Sequence, residues 1–371
     1  MKNLRYFSIA LLALLLAGAC NQDYIDPISK VAPGTDETAP TVNIKFPLEG
    51  SKIKSEDPVT SVKISFDAID DIELQNVSVK LDNAEIVNFD QFKDYRQFSN
   101  EYNYTNLTEG KHTLTIVATD KSGKSTTQTV NFEKTTPYKP IYPGEIFYMP
   151  FEGDYTEQVS NKPATVVGSP SFADGKKGKA YLGAENSYLT FPIDSLAKSN
   201  EISAVFWMKV NGTPDRAGIL IASPEDKANP KYPDIQNLRS SGFRFFRELS
   251  GKLQQFKINV GIGATLEKDY ESWNDGGMVN PAKGEWVHFA FTISKTVNTI
   301  YINGVKTTGT AEAKMTFPMD WTNVKLLVIM SGGPYFSEWK HYSDLSMLDE
   351  LRFFNKALTV EEVNTIMNAE K

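Results

Sequence analysis

From Thr41 to its far end the chain repeats one pattern, short runs of alternating apolar and polar side chains, each closed by Gly, Pro, Asn or Asp. A period of two puts one face of a strand in a core and the other in water, so such a chain must build sheets whose apolar faces meet. TVNIKF sets Val42, Ile44 and Phe46 on one side ahead of a Pro/Gly turn. SVKISF repeats the arrangement with Val62, Ile64 and Phe66, and NVSVKL with Val77, Val79 and Leu81. GKHTLTIVATDKSGKSTTQTVNF adds two strands around DKSG, where Asp120 and Gly123 supply the bend. Five or more such strands within residues 40–134 predict a β-sandwich.

A longer series starts at Glu145. AVFWMKV, AGILIA, FRFFREL, QFKINVGIG, WVHFAFTISK, TIYINGV and VKLLVIM are each apolar on one face or both, with turn residues between them. Residues 145–371 therefore read as a two-sheet jelly roll, all-β except for one helix at the extreme end. Thr359 followed by Glu362 forms the capping box of that helix, and Val363 and Ile366 share its apolar face. Between the two series, TTPYKPIYPGE spaces Pro137, Pro140 and Pro143 three apart, as an extended, semi-rigid connector over residues 135–144 would.

At the other end Lys2 and Arg5 precede an apolar run, residues 9–16, that is too short to cross a bilayer. LLLAGAC then closes in small residues and the chain's one cysteine, so residues 1–19 read as a signal peptide. A single cysteine permits no internal disulfide. Residues 20–39 are polar, with too few apolar side chains to pack, and read as a flexible tether. A net charge of −7 over 371 residues argues against a nucleic-acid partner.

Several of these stretches resemble known families. The letters around Cys20 resemble a bacterial lipoprotein cleavage site, although Leu16 stands four residues before the cysteine and Ala17 occupies the place where Leu is commonest. That resemblance implies lipidation of Cys20 and a membrane anchor of more than one acyl chain. GKHTLTIVATDKSGKSTTQTVNF resembles the last two strands of bacterial Ig-like domains, which usually serve as spacers. IFYMPFEGDYTE, GKAYLGAENSYLTFP, ISAVFWMKV, GEWVHFAFTISKTVNTIYINGV and LDELRFFNKALTVEEVNTIM resemble, in order, the laminin-G-like, concanavalin A-type jelly roll of bacterial surface proteins. This implies a lectin-like sandwich, often glycan-binding and often stabilised by calcium, with Trp207 and Trp286 in core positions. Glu152 in PFEGD and Asp349 in LDEL match the family's places for carboxylate ligands to a structural Ca²⁺.

Sugars present C–H faces that stack on flat rings and hydroxyls that pair with polar side chains. Two loops combine both needs. LEKDYESWNDGGMVNPAKGE carries Tyr270, Trp273 and Asn274, and SGGPYFSEWKHYSD carries Tyr335, Trp339 and Tyr342. These six are the expected carbohydrate-binding residues, while Trp321, ahead of VKLLVIM, reads as a cap on the core. DAIDDIEL gathers Asp70, Asp71 and Glu73 and reads as a solvated loop, contact with a cation being the other reading.

Chemistry is less well served. Jelly-roll glucanases need two carboxylates on one strand face, and the adjacent Asp349 and Glu350 of a strand point to opposite faces. There are three histidines, and neither a G-x-S-x-G elbow nor an H-E-x-x-H helix. The chain is therefore expected to bind poly- or oligosaccharide without cutting it. An adhesion or assembly protein with a protein partner is the alternative, since exposed aromatics also make protein hot spots, and a glycoside hydrolase is a further one. The full layout resembles surface glycan-binding lipoproteins of the Bacteroidetes. That implies an outer-membrane location, facing the medium or the periplasm, with transporter or enzyme partners close by. Weak sites suffice there because confinement raises effective concentration.

Overall fold

A computed structural model describes residues 34–194, 196, 199–263, 270–307 and 313–371. The signal peptide, Cys20 and most of the tether lie outside the described residues. The chain divides into two compact units between Thr136 and Pro137. The described residues are all-β apart from a short 3₁₀ turn and one C-terminal helix.

In the first unit, strands Thr41–Phe46, Val59–Ile69 and Gln97–Thr108 form one sheet. A five-stranded sheet, in the order Lys52–Lys54, Ser125–Thr135, Gly110–Asp120, Leu74–Leu81, Ala84–Phe89, forms the other. Alternation sends Ile64, Phe66, Val77, Val79, Leu114 and Ile116 into a shared core where none is exposed. Each such side chain contributes about 1.5–3 kcal/mol relative to exposure.

The second unit stacks an eight-stranded on a nine-stranded sheet. Central in the nine-stranded sheet is the order Met347–Phe354, Ile202–Lys209, Trp286–Ile293, Val297–Ile302; central in the other is Val324–Ile329, Arg216–Pro224, Phe243–Ser250, Leu253–Gly261, with Glu271–Asn274 at the edge beyond. Phe206, Met208, Phe289, Phe291 and Phe353 meet Leu220, Phe243, Phe245, Phe256 and Leu327 between the sheets.

These strands are apolar on both faces, so each sheet needs a second cover. Over the nine-stranded sheet lies the helix Val360–Ala369, whose capping box is formed as the sequence predicts. Val363 and Ile366 press on Val205, Ala290 and Phe354. Trp207 is buried here, under the C-terminal end of the helix, and donates to the Glu370 carboxylate at 3.1 Å. It occupies this outer face because its neighbours Phe206 and Met208 fill the inner one. Trp286 is only half-buried, and Trp321 packs on the main core and donates to the Ser199 carbonyl at 2.9 Å.

The proline connector is held by the second unit from Pro137 onward. Tyr138 donates to Glu145 at 2.9 Å, and the Ile141 amide reaches the same carboxylate at 2.9 Å. These bonds fasten the connector to the strand that follows it.

Candidate functional site

The outer face of the eight-stranded sheet carries an apolar row of Ile221, Phe246 and Val328. Residues 331–346 fold down onto that row, with Tyr335 and Phe336 buried against it. A loop without regular structure must be held by specific bonds, and these are present. Arg247 and Asp344, both fully buried, pair at 2.6 Å, and a second Arg247 nitrogen donates to the Pro214 carbonyl at 2.8 Å. His341 stacks on Phe336 with ring centroids 4.6 Å apart, and its Nε2 lies 3.1 Å from Glu248. Burial pushes the imidazole below its ordinary range, against the pull of Glu248. Two glycines let the loop lie this close: a Cβ at Gly218 would collide with the backbone of Gly332, and one at Gly332 with the His341 carbonyl.

With Tyr335 and Phe336 facing inward, Trp339 and Tyr342 remain outside, 36 % and 50 % exposed. Trp339 meets Trp273, on the edge strand Glu271–Asn274, with ring centroids 6.2 Å apart. The Arg239 guanidinium lies over both rings, 5.0 Å from Trp339 and 5.8 Å from Trp273. Its position is fixed by Glu271 at 2.7 Å and by the Tyr270 hydroxyl at 3.0 Å. Burial would raise the Glu271 carboxyl, but the bond and charge of Arg239 outweigh it and hold the group below the usual range. The result is a partly exposed surface of two indoles, one guanidinium, a phenol and a carboxylate, which offers ring faces beside donors and acceptors.

The six residues expected from sequence thus separate. Trp273, Trp339 and Tyr270 come together, and Tyr342 is exposed on the same loop as Trp339. Tyr335 is only 9 % exposed and Asn274 is fully buried, its amide bonded to the Asn298 carbonyl at 3.1 Å, so neither faces a ligand. Strand parity explains Asn274, whose neighbour Trp273 takes the outer face. Arg239 and Glu271 were not singled out in the sequence. Their only signal there is a basic and an acidic residue flanking aromatic loops, and the contact joins positions far apart in the chain.

Residues 182–364 match the concanavalin A-like lectin/glucanases superfamily, and residues 40–116 match the bacterial Ig domain. The chain carries a bacterial Ig domain followed by a concanavalin A-like domain. No curated protein sequence matches it. Among solved structures, domain 4 of an extracellular arabinanase from Geobacillus stearothermophilus, in complex with arabinotriose, is similar at 20 % identity. It covers 60 % of this chain and 98 % of its own, with a TM-score of 0.42. The receptor-binding domain of a botulinum neurotoxin C/D mosaic serotype shares 11 % identity, with a TM-score of 0.43 over 61 % of this chain and 51 % of that one.

In the concanavalin A-like domain, Glu152 and Asp349 both converge on residues 175–179. The Lys179 amide donates to Glu152 at 3.0 Å. The Lys177 amide donates to one oxygen of Asp349 at 3.0 Å and the Glu350 amide to the other at 2.8 Å. A Cβ at Gly178 would collide with the Glu152 carboxylate, and one at Gly175 would come within 2.6 Å of Asp349 Oδ2. Backbone therefore lies directly against both groups, and each caps amides of this segment. Lys176 of the same segment sits 4.5 Å over the Trp207 ring. Both carboxylates thus anchor residues 175–179 through backbone amides.

Proposed function

We propose that the concanavalin A-like domain holds a poly- or oligosaccharide on the Trp273, Trp339 and Arg239 face, without cleaving it. The observation that carries this reading is the pair of partly exposed indoles with a guanidinium fixed over both rings. Pyranose or furanose faces stack on such rings, and Arg239, Glu271 and Tyr270 offer hydroxyl partners at the ring edges. Two carboxylates near the face, Glu271 and Glu248, are poor proton donors. Glu271 is bonded by Arg239 and Asn259, and Glu248 is drawn down to about 2 by His341, against burial and with the help of Lys257. Neither would be protonated at neutral pH, as the acid of a glycosidase must be.

Lipidation of Cys20 and anchoring in the outer membrane belong to the same proposal, with uptake or hydrolysis left to neighbouring proteins. Affinity electrophoresis of the purified chain through a panel of polysaccharides tests the binding. Retardation by at least one glycan, lost in Trp339→Ala and Trp273→Ala, is the expected result. If no glycan retards the chain and a protein is recovered with it instead, the adhesion reading replaces this one. Labelled fatty acid incorporated into the chain, and absent from Cys20→Ala, tests the anchor.

A further inference from the structure

The Ig domain brings three carboxylates to one place: Asp36, Asp70 and Asp71 each offer an oxygen within 4.8 Å of the others. Asp36 lies just ahead of the first strand, and Asp70 and Asp71 follow the strand Val59–Ile69. Acidic turns are common on surfaces, but these side chains are not all solvated. Asp70 is 4 % exposed. Its Oδ2 accepts the amides of Ile72 at 2.9 Å and Glu73 at 2.6 Å, whereas its Oδ1 is buried with no hydrogen-bond partner. Oδ2 of Asp36, a side chain 10 % exposed, is in the same condition. So is Oδ2 of the fully buried Asp120, whose other oxygen accepts the Lys124 amide at 2.9 Å.

A buried carboxylate oxygen without a donor costs free energy that native structures recover through a partner. The cluster holds three carboxylates, and the Lys124 ammonium lies 3.2 Å from Asp36 Oδ1. One ammonium does not balance them, nor does it reach the orphaned oxygen of Asp70. The Thr38 hydroxyl donates to Asp71.

We infer that Asp36, Asp70 and Asp71 form a divalent-cation site of the calcium class. The donors are all carboxylate oxygens, with no imidazole or thiolate among them, which suits a hard ion rather than zinc. Bound there, the ion joins the segment that enters the domain to the turn after its third strand, so it fastens the tether to the sandwich.

Calorimetric titration of the full chain with Ca²⁺ alone, alongside thermal unfolding with and without chelator, tests the site. The expected results are saturable binding and a chelator-sensitive transition, with binding at least about tenfold weaker in Asp36→Asn and Asp71→Asn. Asp70→Asn also weakens the charge-assisted caps on two amides and is open to a folding defect. The other two variants keep those bonds and decide the matter. Asp349→Asn in the concanavalin A-like domain should bind Ca²⁺ as the parent does. Absence of binding, unchanged affinity in both Asp36→Asn and Asp71→Asn, or loss of binding in Asp349→Asn would each overturn the assignment.

Discussion

Both sheets of the concanavalin A-like domain have an apolar outer row, and the two rows are hidden differently. On the nine-stranded sheet a capped helix presses Val363 and Ile366 onto Val205 and Phe354, and Arg352 ties the seam together through Glu145, Glu350 and Glu370. On the eight-stranded sheet a loop does the covering, with Tyr335 and Phe336 inward and the Arg247–Asp344 pair as its anchor. A helix satisfies its own backbone and presents one continuous stripe, so it seals a sheet. A loop relies on bonds to its surroundings, and in return it is free to turn some side chains in and others out. The covering that exposes Trp339 and Tyr342 is therefore the one suited to recognition.

That contrast can be broken most severely at the loop anchor. Asp344→Ala leaves the Arg247 charge buried and unpaired, and should cost about 3–5 kcal/mol in urea unfolding while abolishing glycan retention. On the helix side, Ile366→Ala should cost about 2–4 kcal/mol through the cavity it leaves, with retention unchanged. Equal loss of retention in both variants would mean that the two covers are not independent. Trp339→Ala sharpens the comparison from the other direction. A ring already 36 % exposed should cost below about 1 kcal/mol, yet retention should vanish.

The smallest effect expected is one of pH. The folded His341 binds its proton less readily than the unfolded residue, whose ordinary value is 6.5. Below that value the unfolded state takes up more protons, so the stability His341 contributes is complete above about 6.5 and is lost as pH falls. A shallow acid-side decline in stability should follow, with a change in Trp339 emission, and His341→Gln should flatten it. A decline of the same size in that variant would remove His341 from the account.

Strand content, the two-sandwich order and the capped final helix were legible in the sequence, because each depends on local periodicity or on a motif a few residues long. Val77 with Val79, Phe206 with Met208, and Thr359 with Glu362 need no distant partner to declare their roles. Parity could not be read as easily. AVFWMKV is apolar on both faces, so nothing in it shows that Trp207 belongs under the helix rather than between the sheets. The aromatic loops were legible as candidates for exposed rings but not residue by residue. Whether Tyr335 or Trp339 turns inward depends on Ile221, Phe246 and Val328, supplied by three other strands. Arg239 and Asp36 lay beyond sequence reasoning for the same reason: a guanidinium over two indoles and a cluster of unsatisfied carboxylates exist only once distant segments are brought together. Local pattern chose the strands, and the packing of their outer faces decided which side chains were left to act.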